Sequence, residues 1–180
     1  MPDFADPGLL VYPAAWITSV GPASGMWDWS ITARPGGATA GAWPANNRAI
    51  YLPFFIERVV TAFKMSVEVT TQSGNLDMGI YDENFARLVS LGSTAVAAAG
   101  LQVGDIADTV LTPGLYYMAM NCSTTAAAFS RQAPASVILE TIAGGRTEDV
   151  GAVALPATAT PVTPVSAYIP TLAVGLKATH

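Results

Sequence analysis

The sequence predicts an all-β fold, an antiparallel β-sandwich or jelly roll with extended N- and C-terminal arms. Three observations lead there. Residues 61–70 alternate apolar and polar side chains, and turn-forming Gly, Asn, Asp and Pro recur at short intervals through the middle of the chain. The only place that suits a helical turn, Val96 to Ala99, is too short to hold a helix. A chain of 180 residues is long enough for one domain with a sizeable core.

The chain divides into three parts. Residues 1–48 are rich in Pro, Gly and Ala and hold all four tryptophans, Trp16, Trp27, Trp29 and Trp43. No useful period survives there, and indoles are costly to leave in water, so the segment reads as an ordered arm packed against something. Residues 49–140 form the expected sandwich core. Within it Thr61, Phe63, Met65, Val67 and Val69 share one face, Ser73-Gly74-Asn75 supplies a turn, and Leu76, Met78 and Ile80 alternate with Asp77, Gly79 and Tyr81. The two runs read as an antiparallel hairpin. Asp82-Glu83-Asn84 then turns the chain into a strand at 86–90. Gly100 and Gly104 bracket a short extended piece, and Thr112-Pro113-Gly114 opens the apolar run 115–120. Residues 141–180 are rich in Ala, Thr, Pro and Val, which favours an extended course, with a final strand over 165–176, broken by Pro170, at a sheet edge.

Composition excludes several classes of function. Apolar residues make up 51% and charged residues 12%, half the roughly 25% of an ordinary soluble domain, so charge-driven disorder is excluded. The net charge of -5 provides no basic field for phosphates, and no nucleic-acid partner is expected. Mean hydropathy is high at +0.40, yet the long uncharged stretches are broken by proline or by Ser, Gly and Gln, so no membrane span is expected. The acidic start at Asp3 and Asp6 is unlike a secretory signal. Neutral Ala-, Thr-, Val- and Gly-rich surface keeps monomers apart poorly, and it is the composition of an assembly component.

The residues that carry chemistry are few. His180 is the one imidazole and the last residue, where no third group orients it. Cys122 is the one cysteine, which excludes an intramolecular disulfide, and it reads as a small core residue. Asp77, Asp82, Glu83, Asp105 and Asp108 are weighed as a glycosidase pair or calcium ligands. Turn-forming and strand-face roles explain them better, and no Asp-x-Asp-x-Asp-Gly ladder is present. Neither Lys64 nor Lys177 follows a phosphate-binding loop, and Asn121-Cys122-Ser123 is read as an accidental glycosylation sequon. No catalytic residue, cofactor or metal is therefore expected. Trp27 and Trp29 share one side of an extended chain and suit a sugar platform, but Trp16, Trp27, Trp29 and Trp43 are read first as anchors to a protein partner.

Leu76-Asp77-Met78-Gly79-Ile80-Tyr81-Asp82 and Leu111-Thr112-Pro113-Gly114-Leu115-Tyr116-Tyr117-Met118-Ala119 resemble β-sandwich domains of tailed-bacteriophage virion proteins. In that group a strand ending Gly-Ile-Tyr-Asp precedes a Leu-x-Pro-Gly-x-Tyr-Tyr strand. The likeness covers about residues 50–131. It implies a structural or adhesive role on a capsid surface, tail fibre or spike, with no catalytic residue to carry over.

These readings combine into one expectation, a non-enzymatic virion protein, assembled in the host cytoplasm, that decorates or cements a capsid through its arms. The alternative is a tail-fibre or receptor-binding module that contacts a host glycan through Tyr81, Tyr116 or Trp29. The expected partners are the chain itself, as a trimer, and a major capsid or tail protein.

Overall fold

A computed structural model describes residues 15–23, 26–33, 39–131, 147–151, 154–166 and 168–178, the first two segments by backbone pairing. The described strands are β1 (Ala15–Ala23), β2 (Met26–Ala33), β3 (Thr39–Ala42), β4 (Arg48–Ile56), β5 (Val60–Thr71), β6 (Asn75–Asp82) and β7 (Arg87–Ser90). They continue as β8 (Thr94–Ala95), β9 (Gly100–Leu111), β10 (Gly114–Cys122), β11 (Ala128–Arg131), β12 (Thr147–Val150) and β13 (Leu172–Ala178). They form two antiparallel sheets, so the all-β sandwich is the fold. One sheet runs β1-β2-β13-β5-β11-β3 with β9 on the far side of β5, and the other runs β12-β4-β10-β6-β7 with β8 beside β7 on β6.

Strand alternation builds the core. β4 turns Ile50, Leu52, Phe54 and Ile56 inward, β6 turns Leu76, Met78 and Ile80, and β10 turns Met118, Met120 and Cys122. The seven-stranded sheet answers with Val60, Ala62, Met65, Val67, Val69, Leu172, Val174 and Leu176. Each such Val, Leu or Ile contributes about 1.5–3 kcal/mol on leaving water. Pro53 stands opposite Tyr117, beyond the reach of β12, which pairs only with residues 48–51 of β4. The missing amide hydrogen of this proline therefore falls on the side of β4 that β12 leaves open.

The strand at 86–90 and the run at 115–120 lie where expected, within β7 and β10. Other expectations are corrected. β5 and β6 are not a hairpin, because β5 pairs with β9, β11 and β13 while β6 pairs with β7, β8 and β10. The turn at 72–74 carries the chain from one sheet to the other, with Gly74 at a φ of 63°. Two alternating strands bury their apolar faces equally well by facing each other as by pairing side by side. Phe63 is a bulge: Gly175 pairs with Lys64 and the next residue, Leu176, with Ala62. The extra residue reverses the alternation, so Ala62 lines the core in place of Thr61 and Phe63. The piece bracketed by Gly100 and Gly104 extends to the twelve residues of β9, and 98–99 form a bend rather than a helical turn.

The described parts of the flanking segments carry strands of both sheets. Residues 15–23 and 26–33 form an antiparallel pair whose second strand lies beside β13, and β3 pairs with β11. The strand expected at a sheet edge over 165–176 begins at Leu172 instead, past Pro170, and runs between β2 and β5. Its alternation buries Leu172, Val174 and Leu176, which is why it takes an interior place.

Gly79 is a sensitive point of the central sheet. A Cβ there would lie 2.6 Å from the Val89 carbonyl oxygen and 3.0 Å from Leu155 Cδ1. The obstacle on one side is backbone, so β7 must shift or Leu155 must lift. Gly79→Ala is expected to lower stability by about 1–3 kcal/mol, read as a fall in the urea midpoint with an unchanged far-ultraviolet spectrum.

Candidate functional site

The two outer faces of the sandwich differ. That of the six-stranded sheet carries Ala49, Tyr51, Tyr81, Tyr117 and Ala119, and it is covered by residues 154–160 of the chain itself, with Leu155 and Ala159 buried against it. Leu155 sits over Gly79. The Tyr81 hydroxyl donates to the Pro156 carbonyl at 2.6 Å, Arg87 Nη1 donates to the Leu155 carbonyl, and the backbone of 157–159 bonds to Phe85 and Arg87. Burial pushes the Tyr51 phenol well above its ordinary range and the Tyr81 phenol up to about 12, so both remain neutral. Tyr51 packs edge-on against Tyr81 at 5.1 Å and Phe85 at 5.8 Å, and Phe85 stacks on Tyr117 at 4.3 Å.

Asp77 lies under this cover, 2% exposed, accepting the amide hydrogens of Gly92 at 2.9 Å and Leu155 at 3.1 Å. Desolvation raises its pKa, against the opposing pull of those amides and of Arg87. The carboxylate therefore ties two loops to β6. A second buried carboxylate, Glu148 on β12, is paired with Arg48 at 3.0 Å and accepts from the Ser166 hydroxyl at 2.6 Å and the Val165 amide at 3.3 Å. It fixes the far end of the covering segment.

The outer face of the seven-stranded sheet is not covered by any described segment. Its strand β9 exposes Leu101 (72%), Val103 (49%) and Val110 (57%). Beside Leu101 lies a shallow groove of about 200 Å³ lined by Ser66, Val67, Glu68, Thr171 and Ala173. Farther along, the ammonium groups of Lys64 and Lys177 lie 4.4 and 5.5 Å from the Phe63 ring centre, and Lys177 pairs with Asp108 at 2.6 Å. Glu68 accepts from the Ser130 hydroxyl at 2.6 Å.

The residues singled out from sequence are not brought to one site. Trp43 is 1% exposed, its indole donating to the Arg48 carbonyl at 3.1 Å and meeting Phe129 and Tyr168 edge-on at 5.7 and 5.2 Å. It closes one end of this domain's own core. Trp16 belongs to β1 and Trp27 and Trp29 to β2, where the register sets Trp29 opposite Ser19 and Leu176; their side chains lie outside the described residues. Tyr81 (0% exposed) and Tyr116 (9%) are buried, which removes both as glycan platforms. Asp82 accepts the amides of Asn84 and Ala86 and shapes a turn. Asp77 lies on the outer face of one sheet and Asp105 and Asp108 on the strand at the edge of the other, so these carboxylates do not converge. Among the described residues there is no group of three or more metal-ligating side chains and no helix long and apolar enough to cross a membrane. Cys122 is buried, its thiol pushed up by desolvation, and Asn121 of the sequon is 1% exposed. His180 lies outside the described residues.

Fold and surfaces together define an all-β, two-sheet antiparallel domain with one face covered by its own chain and one that no described segment covers. Comparison with known proteins finds no family model that matches the chain and no curated protein that matches it.

Two outcomes test the buried charges. Arg48→Ala removes the Arg48–Glu148 contact, while Ser166 and Val165 still bond the carboxylate, and is expected to cost about 1.5–3 kcal/mol of stability, measured by chemical denaturation at neutral pH. The Asp77 carboxyl resonance is expected to titrate above the ordinary 3.8. Between that value and the raised midpoint the folded state holds more protons than the unfolded one, so this site's contribution to stability is full below 3.8 and is lost as pH rises through the folded pKa. Stability should accordingly fall more steeply with pH, or rise less, in the wild type than in Asp77→Asn across that window.

Proposed function

We propose that this chain is a non-enzymatic structural protein of a virion, a capsid-surface decoration or cement component held by a major capsid or tail protein. One observation carries the reading. The outer face of the seven-stranded sheet, which no described segment covers, exposes Leu101 and Val103 side by side in a chain only 12% charged. Apolar surface grouped in this way marks a face that another protein covers. The likeness of the β6 and β10 sequences to tailed-phage virion domains supplies the kind of assembly.

Attachment on this reading belongs to a folded sheet rather than to a detachable arm. β1, β2, β3 and Trp43 are built into the domain, so removing residues 1–48 would take away three strands and a core side chain together. The groove beside Leu101, with Ser66, Glu68 and Thr171 among its lining, favours a second reading, a receptor-binding module that takes a glycan. Its polar groups replace the buried Tyr81 and Tyr116 as candidate sugar contacts.

Mass spectrometry of purified virions from the source is expected to find the chain in fixed stoichiometry to the major capsid protein. Virions that lack it would overturn the structural reading. A glycan array with the isolated protein separates the alternative, since specific binding lost in Glu68→Ala would favour the receptor-binding module.

A further inference from the structure

We propose that the chain forms a two-fold dimer in which the N-terminal half of β9 pairs antiparallel with the same segment of a second copy, centred on Val103. The inference stands apart from the virion reading and concerns the isolated protein.

β9 is the outer strand of its sheet, hydrogen-bonded along one side to β5, and no backbone hydrogen bond from its other side to a described residue is present. Exposed edges are normally guarded by lysine, proline, a bulge or an inward-turned charge. The two halves of β9 differ in this respect. From Asp105 to Thr109 the register with β5 is broken, three residues of β5 (62–64) spanning five of β9 (105–109), and Asp105 and Asp108 stand there. That half is bent and charged. Over 100–105 the register runs without interruption, and it contains neither proline nor lysine. Gly100, at a φ of 109°, is not extended, so the regular edge available for pairing is 101–105.

This stretch is self-complementary. In an antiparallel pair, directly opposed residues lie on the same face, so a symmetric pairing of 101–105 has Val103 on the two-fold axis. Val103 then meets Val103 of the copy, and Leu101 meets Asp105. On the bare face Leu101 and Val103 of both copies, 72% and 49% exposed in the monomer, gather into one apolar cluster. Charge selects the same register. A pairing centred on Asp105 sets two carboxylates opposite each other and runs into the irregular half. Centred on Val103, each Asp105 faces Leu101 across the axis and has Lys64 of its own β5 as register partner on the other side. The geometry favours a second copy over an unrelated strand because every outward position finds an acceptable mate in its own sequence. It also yields a two-fold pair rather than the trimer expected from the phage resemblance.

Sedimentation of the full chain at about 100 micromolar tests this, in a range suited to a short strand interface. Wild type is expected to sediment as a dimer. Val103→Lys, which sets two ammonium groups on the axis at a half-exposed position, should weaken dimerisation at least tenfold with unchanged circular dichroism. Val150→Lys, on the edge strand of the other sheet and 64% exposed, should not. Val103→Cys should form an intermolecular disulfide on mild oxidation, since Cys122 is buried. A wild-type monomer at this concentration, an oligomer unaffected by Val103→Lys, or one disrupted by Val150→Lys instead would overturn the proposal.

Discussion

The organisation of this molecule depends on the need to cover the outer face of the six-stranded sheet. Tyr51, Tyr81, Tyr117 and the carboxylate of Asp77 all point to that side, and Gly79 leaves a depression between them. Leu155 fills the depression while its amide satisfies Asp77, and the Tyr81 hydroxyl meets the next carbonyl. Three different groups, one apolar, one anionic and one a neutral donor, thus find their partners in two successive residues of one segment. A buried carboxylate without such amides would lose more on desolvation than the fold could return. The covering segment is consequently part of the domain, and the Pro- and Thr-rich composition of 154–166 suits a chain that crosses a sheet and meets it only in isolated bridges, Thr158 with Ala86 and Val162 with Glu148.

That crossing sets the place of the last strand. β13 enters its sheet only after the chain has passed over the opposite face, and it then bridges β2 to β5. The N-terminal pair β1–β2 therefore joins the main body of the sheet through a strand from the far end of the sequence. Association of this kind closes long loops, and the fold belongs to the class in which non-local pairing makes folding slow. The ion pair of Arg48 with Glu148, one hundred residues apart, and the Ser166 hydroxyl on the same carboxylate hold the entry and exit of the crossing together.

How far the sequence discloses this differs from residue to residue. Period two identifies which side chains share a face and makes β5 and β6 legible, while turn residues and an apolar run mark β7 and β10. Period two is silent on whether consecutive strands pair or oppose each other, which is why the β5–β6 connection reads as a hairpin when it is a passage between sheets. It is silent too on the bulge at Phe63, since one extra residue leaves no mark until the partner strands are in place. Trp43 looks like the other tryptophans of its segment and becomes a core residue only when β11 and Tyr168 arrive around it. Asp77 reads as a candidate acid or calcium ligand because its defining partner, Leu155, is seventy-eight residues away. Leu101 and Val103 carry no signal in the sequence and acquire meaning from lying on the outer strand of a sheet.

The two faces also explain how a chain so poor in charge distributes the charge it has. On the bare side Lys64 and Asp105 are register partners, Lys177 pairs with Asp108, and both lysines lie against the Phe63 ring. Opposite charges are set side by side in these two pairs, which limits the field they present to a partner or a second copy. In the proposed pairing, recognition there would rest on shape, apolar area and the main-chain groups of β9. Edge and face act together in this respect. A strand added at β9 prolongs the sheet, and prolonging it enlarges the neutral outer surface without interrupting it at the junction. On the opposite side of the domain residues 154–160 already lie on the six-stranded sheet, so a partner added to that face would have to displace part of the chain itself.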